Sequence, residues 1–336
     1  MPLFIASVCL GLALSIRVGA LLALFIICVF GYLRSGKRAL IPLFLYIAIS
    51  FVVMYIAWPA LWGDPITTFR KSLEVMSNFP YHGDILFLGK LYESGSTPWY
   101  YPTLLIFFQF TEPLILLLII SMIFIISRKI ELNQELLLLI VFWFLLPLAA
   151  IILRKSILYD NFRQLFFLIP PIFLIAGLAL DWFFNYFALP IYKLILVIFL
   201  FFPSIFGIIS LHPYEYTYYN ALVGWNHGAF RKFEMDYWRI SYREAINYIN
   251  QIAPRDAKVV VWESPGLVNE FARKDLVIFD RNAFNSAAAQ SFDYLIVPTR
   301  NNKDLNIYPN IPSIYTIERQ GAILALIKHL ADEQNP

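Results

Sequence analysis

Long apolar stretches, rather than the short periodic patterns of a soluble domain, organise this chain. A helix needs roughly 17 to 25 such residues to cross the hydrocarbon of a bilayer. Residues 39–57, 136–153, 164–181 and 190–211 each qualify. Residues 103–127 are also long enough, with Glu112 and Pro113 interrupting the run and offering a start for the membrane helix there. The first 33 residues hold 30 mostly apolar positions split by Arg17, the pattern of two helices meeting at a tight turn, the first of them short. The expected architecture is an α-helical polytopic membrane domain over residues 1–211, with about seven transmembrane helices.

Two other patterns interrupt this. In the long loop 58–102, Ile66, Phe69, Leu73 and Met76 recur at spacings of three and four, which predicts an amphipathic helix over 65–79 lying at the interface. Trp58, Trp62, Trp99, Tyr100 and Tyr101 flank it as an aromatic belt. From about residue 212 the character changes. Ser241 to Glu244 reads as a capping box, followed by a helical face of Tyr242, Ala245, Ile246, Ile249 and Ile252. Strand-like runs follow at 258–263, 276–280 and 293–298, with Ser264 and Pro265 opening a short helix after the first. Strands alternating with helices predict a small α/β domain over 212–336 with a largely parallel sheet.

Composition supports lipid as the solvent: 60% of residues are hydrophobic and 15% charged, against averages of about 45–50% and about 25% for soluble chains. The net charge of +3 gives no reason to expect nucleic acid, and Cys9 and Cys28 lie inside apolar runs, outside any disulfide or zinc pattern. Lys and Arg in short loops favour the cytoplasm. Arg34, Lys37 and Arg38 mark one such loop, and Arg128 and Lys129 another on the same side. Parity then puts loop 58–102, the Arg17 turn, loop 154–163 and the whole tail on the outer face, making the chain a multi-pass cell-membrane protein with an extracytoplasmic C-terminal domain. Arg154, Lys155 and Arg163 run against the charge rule, and a role other than topogenesis would account for them.

The chain has no HExxH, GxSxG or CxxC motif, no glycine fingerprint and no P-loop. The candidates for chemistry lie instead at the expected outer membrane surface. Arg17 sits in an apolar stretch, where a charge needs water, protein or an anion as partner. In YDNFRQLFFLIPP, residues 159–171, Arg163 stands at a helix entrance beside Tyr159 and Asp160, and arginine binds phosphate in bidentate fashion. Asp64, in WPALWGDP, is the first acid of the chain and a weak candidate general base; an Asp before Pro more commonly opens a helix. Glu112 and the pair His82 and Asp84 rank lower, and a metal at His82-Gly83-Asp84 would be a weak assignment.

Taken in order, GLALSIRVGALLAL, WPALWGDP, PWYY at 98–101, YDNFRQLFFLIPP and the aromatic-rich segment 211–238 resemble the polytopic C-type glycosyltransferases that use polyprenyl-phosphate sugars, near the protein O-mannosyltransferases of glycosyltransferase family 39. The resemblance covers most of the chain. It implies transfer of a sugar from a polyprenyl-phosphate-linked donor, held among membrane lipids, to an acceptor protein or glycan on the outer face. Its basic residues near the membrane surface hold the donor phosphate, a role that falls on Arg163, less firmly on Arg17, with Tyr159 alongside. The cofactor is left open, a divalent metal included. Members of the family carry their catalytic acid in the first outer loop, ahead of the segment that GLALSIRVGALLAL resembles, whereas no acid here precedes Asp64. The chain is therefore expected to match the C-terminal portion of such an enzyme, inactive alone, and Asp64 does not match the catalytic position. The alternative is a non-enzymatic accessory protein of envelope glycan assembly with a partner-binding outer domain. A transporter fits less well, since few charges and no inverted repeat occupy the apolar stretches.

Overall fold

The computed structural model describes residues 1–77, 79, 81, 83–130, 132–282 and 292–330. Most of the described chain is helical. The apolar part runs α1 (Pro2–Ile16), α2 (Leu21–Ser35), α3 (Leu40–Ala57), α4 (Pro65–Ser77), a hairpin of β1 (Asp84–Phe87) and β2 (Lys90–Glu93), α5 (Tyr101–Gln109), α6 (Glu112–Ile126), α7 (Gln134–Leu153), α8 (Ile169–Tyr186) and α9 (Pro190–Leu211). Four helical runs are long and apolar enough to cross a membrane: Val18–Ala57, Gln134–Leu153, Asn161–Tyr186 and Pro190–Leu211. The bent pair α5–α6 makes a fifth if it forms one span. All seven stretches read from the sequence are helical, but α1 and α2, at 15 residues each, fall short of the crossing length on their own.

Small residues let α1 and α3 lie close. A Cβ added at Gly11 would meet the Ser50 carbonyl oxygen and Val53 Cβ at 2.6 Å, and the Ser50 hydroxyl reaches across to the Ser7 carbonyl at 3.0 Å. Glycine and serine at such crossings allow backbone approach where lipid supplies no hydrophobic drive. The amphipathic helix expected in loop 58–102 is α4. It packs over the turn after Arg17, with the Phe69 ring edge-on to Phe51 at 6.2 Å.

Between α5 and α6 the chain bends by 115°. Phe110 and Thr111 are extended, and Pro113 starts the new helix. Carbonyls freed by such a break cannot be left to hydrocarbon and are tolerated only where protein satisfies them. Asn220, fully buried, does this: its Nδ2 donates to the Phe107 and Phe110 carbonyls at 2.6 and 2.7 Å, and its amide to Phe108 at 2.9 Å. The Glu112 carboxylate accepts from the Ala221 amide at 2.5 Å. The segment just after α9 therefore repairs the break in α5–α6.

The tail contains α10 (Trp225–Ala229), α11 (Ser241–Ile252), β3 (Lys258–Val261), α12 (Gly266–Asn269), β4 (Val277–Asp280), β5 (Tyr294–Pro298), β6 (Ser313–Arg319) and β7 (Ala322–His329). Its five strands lie in the order β4-β3-β5-β7-β6. The expectation of a largely parallel sheet holds only for β4-β3-β5; β7 pairs antiparallel with both β5 and β6, so the sheet is mixed. The β6–β7 turn uses Gln320 and Gly321, both at positive φ, the conformation of a two-residue hairpin loop that favours glycine.

Helix α11 packs Tyr242, Ala245, Ile246 and Ile249 inward, while Ile252 is exposed. The capping box does not form. The Ser241 hydroxyl is drawn to the buried Asp236 carboxylate, and Glu244 turns to Arg319 and Tyr214 instead of the helix start. One apolar core joins Ile85 and Phe87 of the hairpin, Tyr101 and Leu105 of α5, Leu165 and Leu168 before α8, and the sheet residues Val259, Ile296 and Ile327.

Replacing Asn220 with Leu should lower the stability of the detergent-solubilised protein by about 2–4 kcal/mol, because buried carbonyls lose their donor. An unchanged thermal unfolding midpoint would show that the break does not depend on Asn220.

Candidate functional site

Where the tail meets the ends of the membrane helices lies a cluster of charged side chains removed from water. Its centre is Arg300, which follows β5 and is 8% exposed. One Nη donates to Asp160 at 2.9 Å, to Glu234 at 2.8 Å and to the Tyr81 hydroxyl at 2.8 Å; the other donates to the Tyr237 carbonyl at 3.1 Å. Glu234, at 0% exposure, also accepts from the Asp160 amide at 3.2 Å. A buried ion pair of this kind persists only when its remaining donors and acceptors are satisfied, and here most of the fork is.

Local geometry presents these groups. Asp160 and Asn161 are consecutive residues at positive φ, 58° and 59°, a conformation that Asp and Asn accept more readily than most side chains. The Asn161 amide nitrogen donates to the Glu234 carbonyl at 3.0 Å, the Tyr219 hydroxyl lies 3.0 Å from Asn161 Oδ1, and the Phe162 amide donates to Gln109 at 3.0 Å. Tyr159 stacks on Tyr81 at 4.2 Å, placing the Tyr81 hydroxyl at Arg300.

Arg163, the leading sequence candidate, belongs to this cluster. It pairs with Asp160 at 2.9 Å, and its guanidinium lies 5.3 Å from the Tyr159 ring and 5.6 Å from that of Trp238. Its Nε is buried with no hydrogen-bond partner. Arg17 is elsewhere: exposed at the end of α1, next to the turn that packs on α4. The structure thus brings Arg163 and Tyr159 together and leaves Arg17 apart. Asp64 accepts from the Thr67 amide at 3.1 Å at the start of α4, as a helix-opening Asp does. Hydrogen bonds from Thr67 hold its carboxyl below the usual range. Asp84 begins β1, and its carbonyl accepts from Asn301 at 2.8 Å. His82 lies outside the described residues. Among the described residues no three His, Cys, Asp or Glu side chains are grouped to hold a metal.

Sequence reasoning missed Arg300, Glu234, Asp236, Arg239, Glu263 and Lys303. Arg239 and Lys303 both pair with Glu263 after β3, and Arg231 makes a two-pronged pair with Asp304 at 2.6 Å on both arms. The available signal was an arginine two residues after the fully buried strand β5, and four charges in the six residues 231–236.

Burial dominates the electrostatics. It pushes the Asp160 and Glu234 carboxyls up, and Arg300 opposes that without cancelling it. For Arg300, burial acts downward but Glu234, Tyr81 and Asp160 outweigh it, so the guanidinium is held charged. Asp236, fully enclosed, is pushed up to about 6 by burial, although Ser241 and Tyr216 donate to it.

No protein-family model matches the chain, and no curated protein matches it.

Arg300→Met should cost about 3–5 kcal/mol, since it strands two buried carboxyls; adding Asp160→Asn and Glu234→Gln should recover part of that, read by thermal unfolding. Asp236 gives a separate pH signature. Its folded pKa lies above the unfolded value of 3.8, so its contribution is fully present below pH ~4 and is lost as pH rises to ~6. The gap between wild type and Asp236→Asn should change by about 3 kcal/mol across that window, following ~1.4 kcal/mol per unit. A pH-independent gap would show that Asp236 does not titrate there.

Proposed function

We propose that this chain is a multi-pass membrane glycosyltransferase, or the larger part of one, that holds a polyprenyl-phosphate sugar at Arg163 for transfer to an acceptor protein or glycan on the outer face. The carrying observation is Arg163 itself. It stands just before α8, between two aromatic rings, with its Nε–H unused and one Nη committed to Asp160. A guanidinium with spare donors at the membrane end of a helix suits a phosphate that is anchored in lipid. During transfer the acceptor oxygen bonds to the sugar anomeric carbon as the bond from that carbon to the phosphate oxygen breaks. The charge gathering on the leaving phosphate is what such an arginine would stabilise.

The sidedness and the seven-span reading belong to this proposal. Arg34 at the end of α2 pairs with Glu135 at the start of α7 at 3.3 Å, which supports placing loops 34–38 and 128–135 at one end of the bundle, the cytoplasmic end by their Lys and Arg. The seam with the tail would then face outward. Arg17, exposed beside α4, is left to lipid headgroups.

One observation favours the accessory-protein reading instead. The carboxylates around Arg163 are engaged: Asp160 by Arg163 and Arg300, Glu234 by Arg300, Glu263 by Arg239 and Lys303. None is placed as a free general base for the acceptor hydroxyl.

In nanodiscs, Arg163→Ala should weaken binding of a short-chain polyprenyl phosphate by about tenfold or more, the loss of a charge-assisted contact, while neutral polyprenol shows no such difference. Equal phosphate-lipid affinity in wild type and variant would remove the donor-site assignment. Loss of polyprenyl-phosphate binding in Arg163→Ala favours the donor site and unchanged binding the accessory role, while transfer of radiolabelled sugar by this chain in membranes should be undetectable, and clear turnover would overturn the reading that its catalytic acid is missing.

A further inference from the structure

Beside the bend between α5 and α6, helix α9 and the segment that follows it border a pocket of about 240 Å³, below the ~300–1,000 Å³ of sites that enclose a drug-sized ligand. Thr111 of the bend, Ser204 of α9 and Tyr218 after it each bring a hydroxyl to the wall, and Gln109 brings an amide. Gly207 lets the Tyr218 ring lie against α9, since a Cβ there would meet that ring at 3.2 Å. The apolar wall is Phe110, Leu114, Phe173 and Ile208. Phe173 and Ile208 are exposed on helical runs long and apolar enough to cross a membrane, which turns this side of the pocket toward hydrocarbon.

The fold leaves the polar groups of this wall unspent. Thr111 is the N-cap of α6, yet its side chain makes no capping bond, although threonine at that position commonly accepts from the first turn. Ser50 and Ser210, also on apolar helices, return their hydroxyls to a carbonyl one turn back, at 2.7 and 2.6 Å; Ser204 does not. Among the described residues, none is hydrogen-bonded to the Thr111, Ser204 or Tyr218 hydroxyl. The Gln109 carbonyl accepts from the Phe162 amide at 3.0 Å, which fixes the side chain and leaves its NH2 to donate. Polar groups at the level of an apolar helix need partners, and side chains that both donate and accept are answered by a group that does the same. The charges of the wall narrow the choice. It contains no Lys or Arg, and its one acid, Glu215, is met by His212 Nδ1 at 2.7 Å. A phosphate would find no counter-charge here, and an ammonium no unshared carboxylate. A hydroxyl satisfies the wall without bringing charge, and the open apolar side requires that it be carried on an apolar chain.

We infer that the pocket between the α5–α6 bend and α9 binds an uncharged lipid alcohol, its hydroxyl among Thr111, Ser204, Tyr218 and Gln109 and its chain leaving past Phe173 and Ile208 into the bilayer. At about 240 Å³ the pocket takes the end group and the first carbons only, so the hydroxyl rather than the chain sets selectivity. Glycerolipid and prenyl alcohols share this chemistry. The site does not depend on the phosphate contact at Arg163 and stands or falls without it.

The test uses the full chain in detergent, with bound lipid measured by native mass spectrometry. The probes are dioctanoylglycerol and farnesol, each set against a counterpart without the free hydroxyl: dioctanoyl phosphatidic acid and farnesyl methyl ether. At least one alcohol should bind about tenfold or more tightly than its counterpart, and the triple variant Thr111→Val, Ser204→Ala, Tyr218→Phe should abolish that advantage. These changes remove three hydroxyls and keep the shape of the wall, and an unchanged thermal unfolding midpoint shows that the variant is folded. Should the triple variant unfold, Ser204→Ala alone should cut the advantage by about fivefold, the worth of one hydrogen bond. A preference for dioctanoylglycerol alone assigns the site to a glycerolipid, and one for farnesol alone to a prenol. Equal binding of both alcohols and their counterparts overturns the site, as does an advantage that survives loss of the hydroxyls.

Discussion

A guanidinium kept from water must find acceptors in nearly every direction its fork points, and for Arg300 they come from three separate parts of the chain. Tyr81 belongs to the loop after α4, Asp160 to the connection between α7 and α8, and Glu234 to the segment leading into the tail. Because each acceptor is itself fixed by neighbours, satisfying one arginine sets the position of the sheet over the helices. One apolar core joins the hairpin, α5 and the sheet. Hydrophobic contact is indifferent to small rotations, whereas a forked hydrogen-bond donor is not. The division of labour is therefore plain: apolar burial holds the tail down, and the charged cluster fixes its orientation.

The same logic governs the break between α5 and α6. An extended pair of residues next to an apolar helix creates a demand for donors, which Asn220 meets from outside the helix. Both the break and the arginine are local conflicts resolved by distant parts of the chain. They bracket the segment 212–240, whose aromatic side chains fill the space between the helix ends and the sheet.

What was legible in the sequence follows from range. Apolar stretches, the turn at Arg17 and the interruption at Glu112 and Pro113 are written in consecutive residues, so the helices could be located. Arg163 and Tyr159 were legible for the same reason, being neighbours in one short motif. Arg300 and Glu234 were not, since their partners lie 66 and 140 positions away and no periodicity links them. The capping box at Ser241 failed because a buried carboxylate five residues earlier competed for the hydroxyl. The strands β6 and β7 went unread although Gln320 and Gly321 supply a hairpin turn. The apolar stretches were read correctly as helices, but a count of crossings needs helices of full span, and α1 and α2 are each too short alone.

The order in which a ribosome delivers these parts gives the Tyr81–Arg300 contact another meaning. The two residues are separated by 219 positions, so Tyr81, Asp160 and Glu234 must all wait in an unfinished state while the remaining helices and most of the tail are made. During that interval Asp160 has only Arg163 as a cation and Glu234 has none. The acidic pair Asp160 and Glu234 thus gains its shared counterion only once the chain has passed β5.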